Sequence, residues 1–103
     1  MVPRFKAKQK KDLLADIVDE LLSAPNESHF YCLISQRLRG GTGKPYQNRD
    51  NLLPEGGRYE ELEVNGPADS RRIVIEMDTH ELYVTRNHYQ TMCYAGKPDF
   101  MNS

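Results

Sequence analysis

Three short stretches carry side chains of the kind that move protons and hold phosphate. "RYEELEV", residues 58–64, alternates, so Tyr59, Glu61 and Glu63 share one face of an extended strand while Leu62 and Val64 share the other. "RRIVIEM", residues 71–77, opens on Arg71 and Arg72, and "RNHYQT", residues 86–91, sets His88 in a turn. If these stretches neighbour one another in an antiparallel meander, Glu61, Arg72 and His88 fall on one sheet face. A carboxylate, a guanidinium and an imidazole are the minimal kit for cleaving RNA without a metal. RNA carries its own nucleophile, the 2′-hydroxyl beside the phosphate. The protein must supply a base for that proton, an acid for the departing 5′-oxygen, and cations for the charge gathering on phosphorus oxygens. An ionised Glu suits the base, and an imidazole with a reference pKa of about 6.5 suits the acid. A guanidinium presents paired donors that match two phosphate oxygens. Acidic residues on a strand are otherwise its wet side; the arginine and histidine are what set this strand apart.

A fourth stretch, "YQNRDNLLP" from Tyr46 to Pro54, packs amides, a cation and a carboxylate into Gln47, Asn48, Arg49 and Asp50 before turning apolar. A loop needing only solubility has no use for that set held against Leu52, Leu53 and Pro54.

The elements that must position these groups are legible in outline. From Asp12 to Leu22 the apolar residues Leu13, Leu14, Ile17, Val18, Leu21 and Leu22 recur at helical spacing, opposite Asp16, Asp19 and Glu20. Ser23 to Asn26 breaks that helix. A second is expected from about Ser28, with Phe30, Tyr31, Leu33, Ile34 and Leu38 inward and Gly40-Gly41 as its left-handed cap. Gly40 to Pro45 then reads as a loop. After Pro54, "RYEELEV", "RRIVIEM", "ELYVT" and "YQTMCY" have β character, are separated by turn residues, and together with the Tyr46 region read as an antiparallel meander. The order predicts an α+β domain, its N-terminal helices packed on one face of a four- to five-stranded antiparallel sheet. His80 falls in the "DTH" turn and His29 in the first turn of the second helix, both away from the chemistry. "GKPDFMNS" reads as a loosely held terminus.

A chain of 103 residues is one domain, long enough to bury a core without staples. No apolar run approaches the ~20 residues of a membrane span, so no membrane association is expected. The basic start lacks the apolar stretch of a secretory signal, which predicts either a cytoplasmic protein or the mature piece of an exported one. The net charge of −1 hides an asymmetry: residues 1–11 carry +5 through Arg4, Lys6, Lys8, Lys10 and Lys11, and the rest carries −6. Residues 1–11 are therefore expected as a flexible basic segment ahead of a single domain at 12–103, either solvated or touching an acidic partner such as RNA. Cys32 and Cys93 form no CxxC pair, so no metal or other cofactor is expected, and the two are read as free, mostly buried thiols, or as a single bridge if the chain is secreted.

Taken together, the four motifs resemble the guanyl-preferring, barnase-like microbial ribonucleases over roughly Tyr46 to Met92. "YQNRDNLLP" is similar to that family's guanine-recognition loop, "GRYEELEV" to the strand of the general base, "SRRIVI" to the strand whose last arginine contacts phosphate, and "RNHYQTM" to its Asp-His-Tyr segment. The resemblance implies Glu61 as base, His88 as acid, Arg72 and Tyr89 as phosphate contacts, and Tyr46, Gln47, Asn48, Arg49 and Asp50 around a guanine. Guanine offers two adjacent donors beside one carbonyl. One carboxylate accepts both donors and loop amides serve the carbonyl, a set the other bases leave unpaired. Here Asp50 stands where the family has Glu. The family's second phosphate arginine is replaced by Ala68, and Arg58, beside Gly56-Gly57 and near Glu61, is expected in its place. The implied activity is metal-independent endonucleolytic cleavage 3′ to guanosine through a 2′,3′-cyclic phosphate. The implied partners are single-stranded RNA and an acidic, barstar-like protein inhibitor of a monomeric enzyme, which would be a secreted or delivered toxin if the chain is a mature fragment and otherwise cytoplasmic with its inhibitor. The alternative is a catalytically weakened RNA- or protein-binding module of the same fold.

Overall fold

A computed structural model of the chain describes residues 2–6, 12–37, 39–49, 51–66 and 68–102. Helix α1 spans Leu13–Leu22, and Asp12 caps it by accepting from the Ala15 N–H at 3.4 Å. Helix α2 spans Glu27–Arg37, with the Asn26 side chain accepting from the His29 N–H at 2.9 Å. The strands are β1 (Arg39–Tyr46), β2 (Tyr59–Glu63), β3 (Arg72–Glu76), β4 (Leu82–Thr85) and β5 (Cys93–Gly96). They pair antiparallel in chain order, a five-stranded meander. Two helices on a five-stranded antiparallel sheet make this an α+β fold, as expected from the order of periodicities.

The helical stripe buries Leu14, Ile17, Val18 and Leu21 of α1 and Phe30 and Ile34 of α2 against Leu62, Val64, Ile73, Ile75, Leu82 and Val84 of the sheet. Strand alternation sends Tyr59, Val74 and Tyr83 to the opposite face, where they pack with Leu53 and Met92. That face is therefore covered too, which is why every residue of β3 and β4 is buried. Each fully buried large apolar side chain contributes about 1.5–3 kcal/mol.

Four expectations need correction. Gly40 to Pro45 is not a loop and Gly40-Gly41 not a helix cap: both lie in β1, whose register slips between Arg39 and Lys44. Pairing with the open edge of β2 outweighs the poor strand propensity of glycine, and the slip absorbs the surplus residues. Nor are residues 3–5 a flexible arm. Pro3 and Phe5 exchange backbone hydrogen bonds with Tyr94 at 2.7 and 2.8 Å, adding a parallel bridge at Arg4 to the edge of β5. Residues 7–11 lie outside the described residues. The C-terminal tail is not loose: Asp99–Asn102 forms a 3₁₀ turn, Pro98 is fully buried, and Phe100 packs edge-on against Phe30 and His80. Cys32 is exposed and Cys93 half-buried, so the thiols are free but not buried.

The turn from β3 to β4 is closed by a buried carboxylate. Glu76 accepts from the backbone N–H groups of Arg58, Asp78 and Thr79 at 3.1, 3.2 and 2.9 Å. Burial works to raise its pKa, but these donors outweigh burial and hold the carboxyl below its usual 4.5. A depressed folded pKa contributes stability that is present above the unfolded value and lost as pH falls through the folded one. Glu76→Gln should therefore cost about 2 kcal/mol at pH 7, because an amide N–H₂ then faces backbone donors. Urea unfolding should show that penalty shrinking below about pH 4; an equal penalty at both pH values would rule out the ionised carboxylate as its source.

Candidate active site

Beyond the tyrosine face the chain leaves an open cleft of about 560 Å³, lined by Pro45 to Arg49, Glu61, His88 and Tyr89. Seven of the ten residues expected from sequence line it: Tyr46, Gln47, Asn48, Arg49, Glu61, His88 and Tyr89.

The loop wall is built by local hydrogen bonding. Asn48 takes a left-handed backbone, φ 52°, and its side-chain amide donates to the Leu53 carbonyl at 2.8 Å and accepts from the Leu53 N–H at 3.0 Å. Leu53 is 3% exposed, so this clamp ties the loop to the core. Gln47 accepts from the Arg49 guanidinium at 3.3 and 3.4 Å on the exposed side. Asp50 lies outside the described residues. Asn48→Ala should lose both bonds and strain the backbone, costing about 2–3 kcal/mol in urea unfolding. Asn48→Gly, which tolerates that φ, should cost less, and an equal loss would show that the backbone conformation is irrelevant.

Glu61 sits in the middle of β2, opposite Val74. Its Oε2 accepts the Tyr89 hydroxyl and lies 3.9 Å from Nε of Arg72. The Tyr89 ring stacks on Tyr46 at 4.9 Å, so the aromatic that the resemblance assigns to phosphate here bridges the loop wall and the carboxylate. Burial, then the Glu61 carboxylate, push the Tyr89 hydroxyl well above its ordinary value, so it stays a donor throughout the working range of pH.

Arg72 departs from the expectation of an open phosphate contact. It is 4% exposed and does not line the cleft. One guanidinium nitrogen donates to the carbonyls of Asp69 and of Arg71, the latter at 2.8 Å, and Nε faces Glu61. Arg72 thus lies behind the carboxylate and steadies it. Arg58 is further from expectation. Its parity along β2 is opposite to Glu61, and its guanidinium is drawn to Asp78 at 2.6 Å on an exposed edge. Arg58 is not among the residues that line the cleft. Arg71 pairs with Asp69 at 2.7 Å instead of facing the cleft.

His88 and Tyr89 are consecutive left-handed residues, φ 54° and 70°, a conformation that costs energy unless its surroundings impose it. The restraint comes from residues that the sequence reading passed over. The buried Thr85 hydroxyl accepts from the N–H of Tyr89 at 3.0 Å and donates to Asn87 Oδ1 at 2.9 Å. Asn87 also accepts from the Thr91 N–H at 3.0 Å, and the His88 N–H donates to the Ser70 carbonyl at 2.9 Å. The signal was present in "TRNHYQT": Thr and Asn two and four residues apart are the types that fold a turn onto its own side chains.

His80 is elsewhere, under α2, with its ring edge-on to Phe30, Tyr31 and Phe100 and Nε2 3.3 Å from the Tyr31 hydroxyl. Among the described residues no helix is long and apolar enough to cross a membrane. Compared with known families and curated proteins, the chain matches no family model and no curated sequence.

Proposed function

We propose that the protein is a guanyl-preferring endoribonuclease that cleaves RNA 3′ to guanosine by transesterification. The observation that carries this reading is one cleft lined together by a carboxylate, an imidazole and a clamped polar loop. In the reaction Glu61 removes the 2′-hydroxyl proton as that oxygen attacks phosphorus. The P–O5′ bond breaks, and the imidazolium of His88 gives its proton to the departing 5′-oxygen. The products are a 2′,3′-cyclic phosphate and a free 5′-hydroxyl. Hydrolysis of the cyclic ester runs the two proton transfers in reverse, leaving a 3′-phosphate. Arg72 keeps the carboxylate aligned, and the guanine stacks against Tyr46 or Arg49, with Asp50 as the sequence-assigned acceptor of its donor pair. Such stacking is worth about 1–3 kcal/mol per base. The family resemblance extends the proposal to an acidic inhibitor protein that covers the same cleft.

One observation favours a second reading. The Tyr89 hydroxyl occupies the carboxylate that must accept a proton, as in a chain that binds guanosine-containing RNA without turning it over. The two readings separate on the dinucleotides GpA, ApA, CpA and UpA in EDTA, with product ends identified. Turnover confined to GpA with a cyclic guanosine product supports the enzyme. Guanine-nucleotide binding without turnover in the folded protein supports the binding module.

A further inference from the structure

The turn that carries His88 is held by two kinds of restraint. Thr85, Asn87 and Thr91 hydrogen-bond among themselves and to the turn backbone, which fixes its shape. They do not fix where the turn stands relative to Glu61, because all three belong to it. The His88 imidazole is exposed and makes no hydrogen bond to another side chain among the described residues. Its aim therefore depends on the backbone, and contacts to other elements place that backbone. Tyr89 reaches Glu61 on the cleft side. Ser70, just ahead of β3, donates its hydroxyl to the Arg86 carbonyl at 2.8 Å, and its own carbonyl accepts the His88 N–H at 2.9 Å.

The remaining anchor is Arg86, whose side chain runs toward α1 and away from the cleft. Asp12 accepts from two of its nitrogens at 3.1 and 2.5 Å, the Lys6 carbonyl accepts at 3.2 Å, and the guanidinium lies 4.9 Å over the Phe5 ring. The side chains of Arg86 and Asp12 are 20% and 5% exposed, so the pair is sheltered from the solvent screening that weakens surface ion pairs. What Arg86 grips is itself fixed. Asp12 caps α1, Phe5 packs against the helix-side core, and Pro3 and Phe5 are hydrogen-bonded to Tyr94. His88 and Tyr89, by contrast, hold left-handed backbone angles that relax once a restraint is withdrawn.

We infer that Arg86 is a positioning residue for His88, and that the N-terminal segment acts on the cleft through it. In its catalytic consequence the inference rests on the ribonuclease reading of the cleft. Glu61 stands on β2 and His88 between β4 and β5, so base and acid are carried by separate parts of the sheet. Their spacing across one phosphate is set by how the turn is moored. A displacement of about 1 Å in such a group costs up to roughly 10²-fold in rate. Arginine suits the mooring because its planar fork engages a carboxylate with two nitrogens and still offers a donor to a carbonyl and a flat face to an aromatic ring. Residues 3–6 then serve the site without touching substrate.

The test uses the full chain with Arg86→Met, which keeps an unbranched apolar stem, and Arg86→Lys, which keeps the charge without the fork. Amide hydrogen exchange is the first readout. In Arg86→Met the His88 N–H should exchange at least about tenfold faster, while the amides of the buried sheet residues Ile73 and Val84 keep their protection. Turnover is the second. Arg86→Met should lower kcat on GpA by about 10–100-fold with KM held within about threefold, and should spare a guanosine 3′-ester whose leaving group needs no proton. Loss of folded protein slows both substrates alike, so the contrast isolates the placement of the acid. Arg86→Lys should fall between the natural protein and Arg86→Met. Phe5→Leu, which keeps an apolar side chain but removes the ring under the guanidinium, should show the same signature in smaller measure. An unchanged His88 exchange rate or a natural kcat in Arg86→Met overturns the positioning role. Natural values of both in Phe5→Leu overturn the part of the N-terminal segment. If the natural protein cleaves neither substrate, the ribonuclease reading fails, and the exchange rates alone decide whether Arg86 moors the turn.

Discussion

Glu61→Gln should slow GpA cleavage by about 10²–10⁴-fold while affinity for a guanosine nucleotide is retained. Glutamine keeps the shape of the side chain and a carbonyl to accept the Tyr89 hydroxyl, so the stacked Tyr46–Tyr89 wall should survive. It cannot take up a proton. The loss corresponds to about 2.7–5.5 kcal/mol of transition-state stabilisation. Because Arg72 is buried behind Glu61, the substitution also leaves a covered cation beside a neutral group. Thermal unfolding of the variant therefore has to accompany the rate. A single-turnover rate equal to that of the natural protein, in a folded variant, would remove Glu61 from the role of base.

His88→Ala should cost a similar factor on RNA, and far less on a guanosine 3′-ester whose leaving group departs without protonation. That contrast is the signature of a general acid, since a merely structural residue would slow both substrates alike. The backbone requires a control. At φ 54° alanine is strained, whereas asparagine tolerates the left-handed region. His88→Asn should therefore unfold at nearly the natural temperature and still lack the acid. If His88→Asn cleaves RNA at the natural rate, the proton comes from another group.

Much of this was legible beforehand. The spacing of Leu14, Ile17, Val18 and Leu21 defined α1, and alternation in "RYEELEV" separated the core side from the cleft side; period is a local property that survives folding unchanged. The site was legible as a set of residue types, seven of which line one cleft. Arg58 and Arg72 stand away from the cleft lining because an arginine goes to the nearest carboxylate or carbonyl. Asp78, Asp69 and Glu61 become neighbours only once β2, β3 and their turns are paired. β1 was expected only around Tyr46 and its first part was read as a loop, because glycine-rich segments carry no periodicity and that part of the strand exists through its partner.

By itself the sequence determined the class of fold, the face on which each strand residue stands, and the chemical kit of carboxylate, imidazole and polar loop. Side-chain type and local period are written residue by residue. The tertiary structure decided which cations are spent on structure, that Tyr89 reaches Glu61, that Thr85 and Asn87 aim His88, and that the N-terminal segment docks beside β5. These are contacts between residues distant in the chain or bent back in a turn. Competition among partners in three dimensions settles them, and no local pattern encodes its outcome.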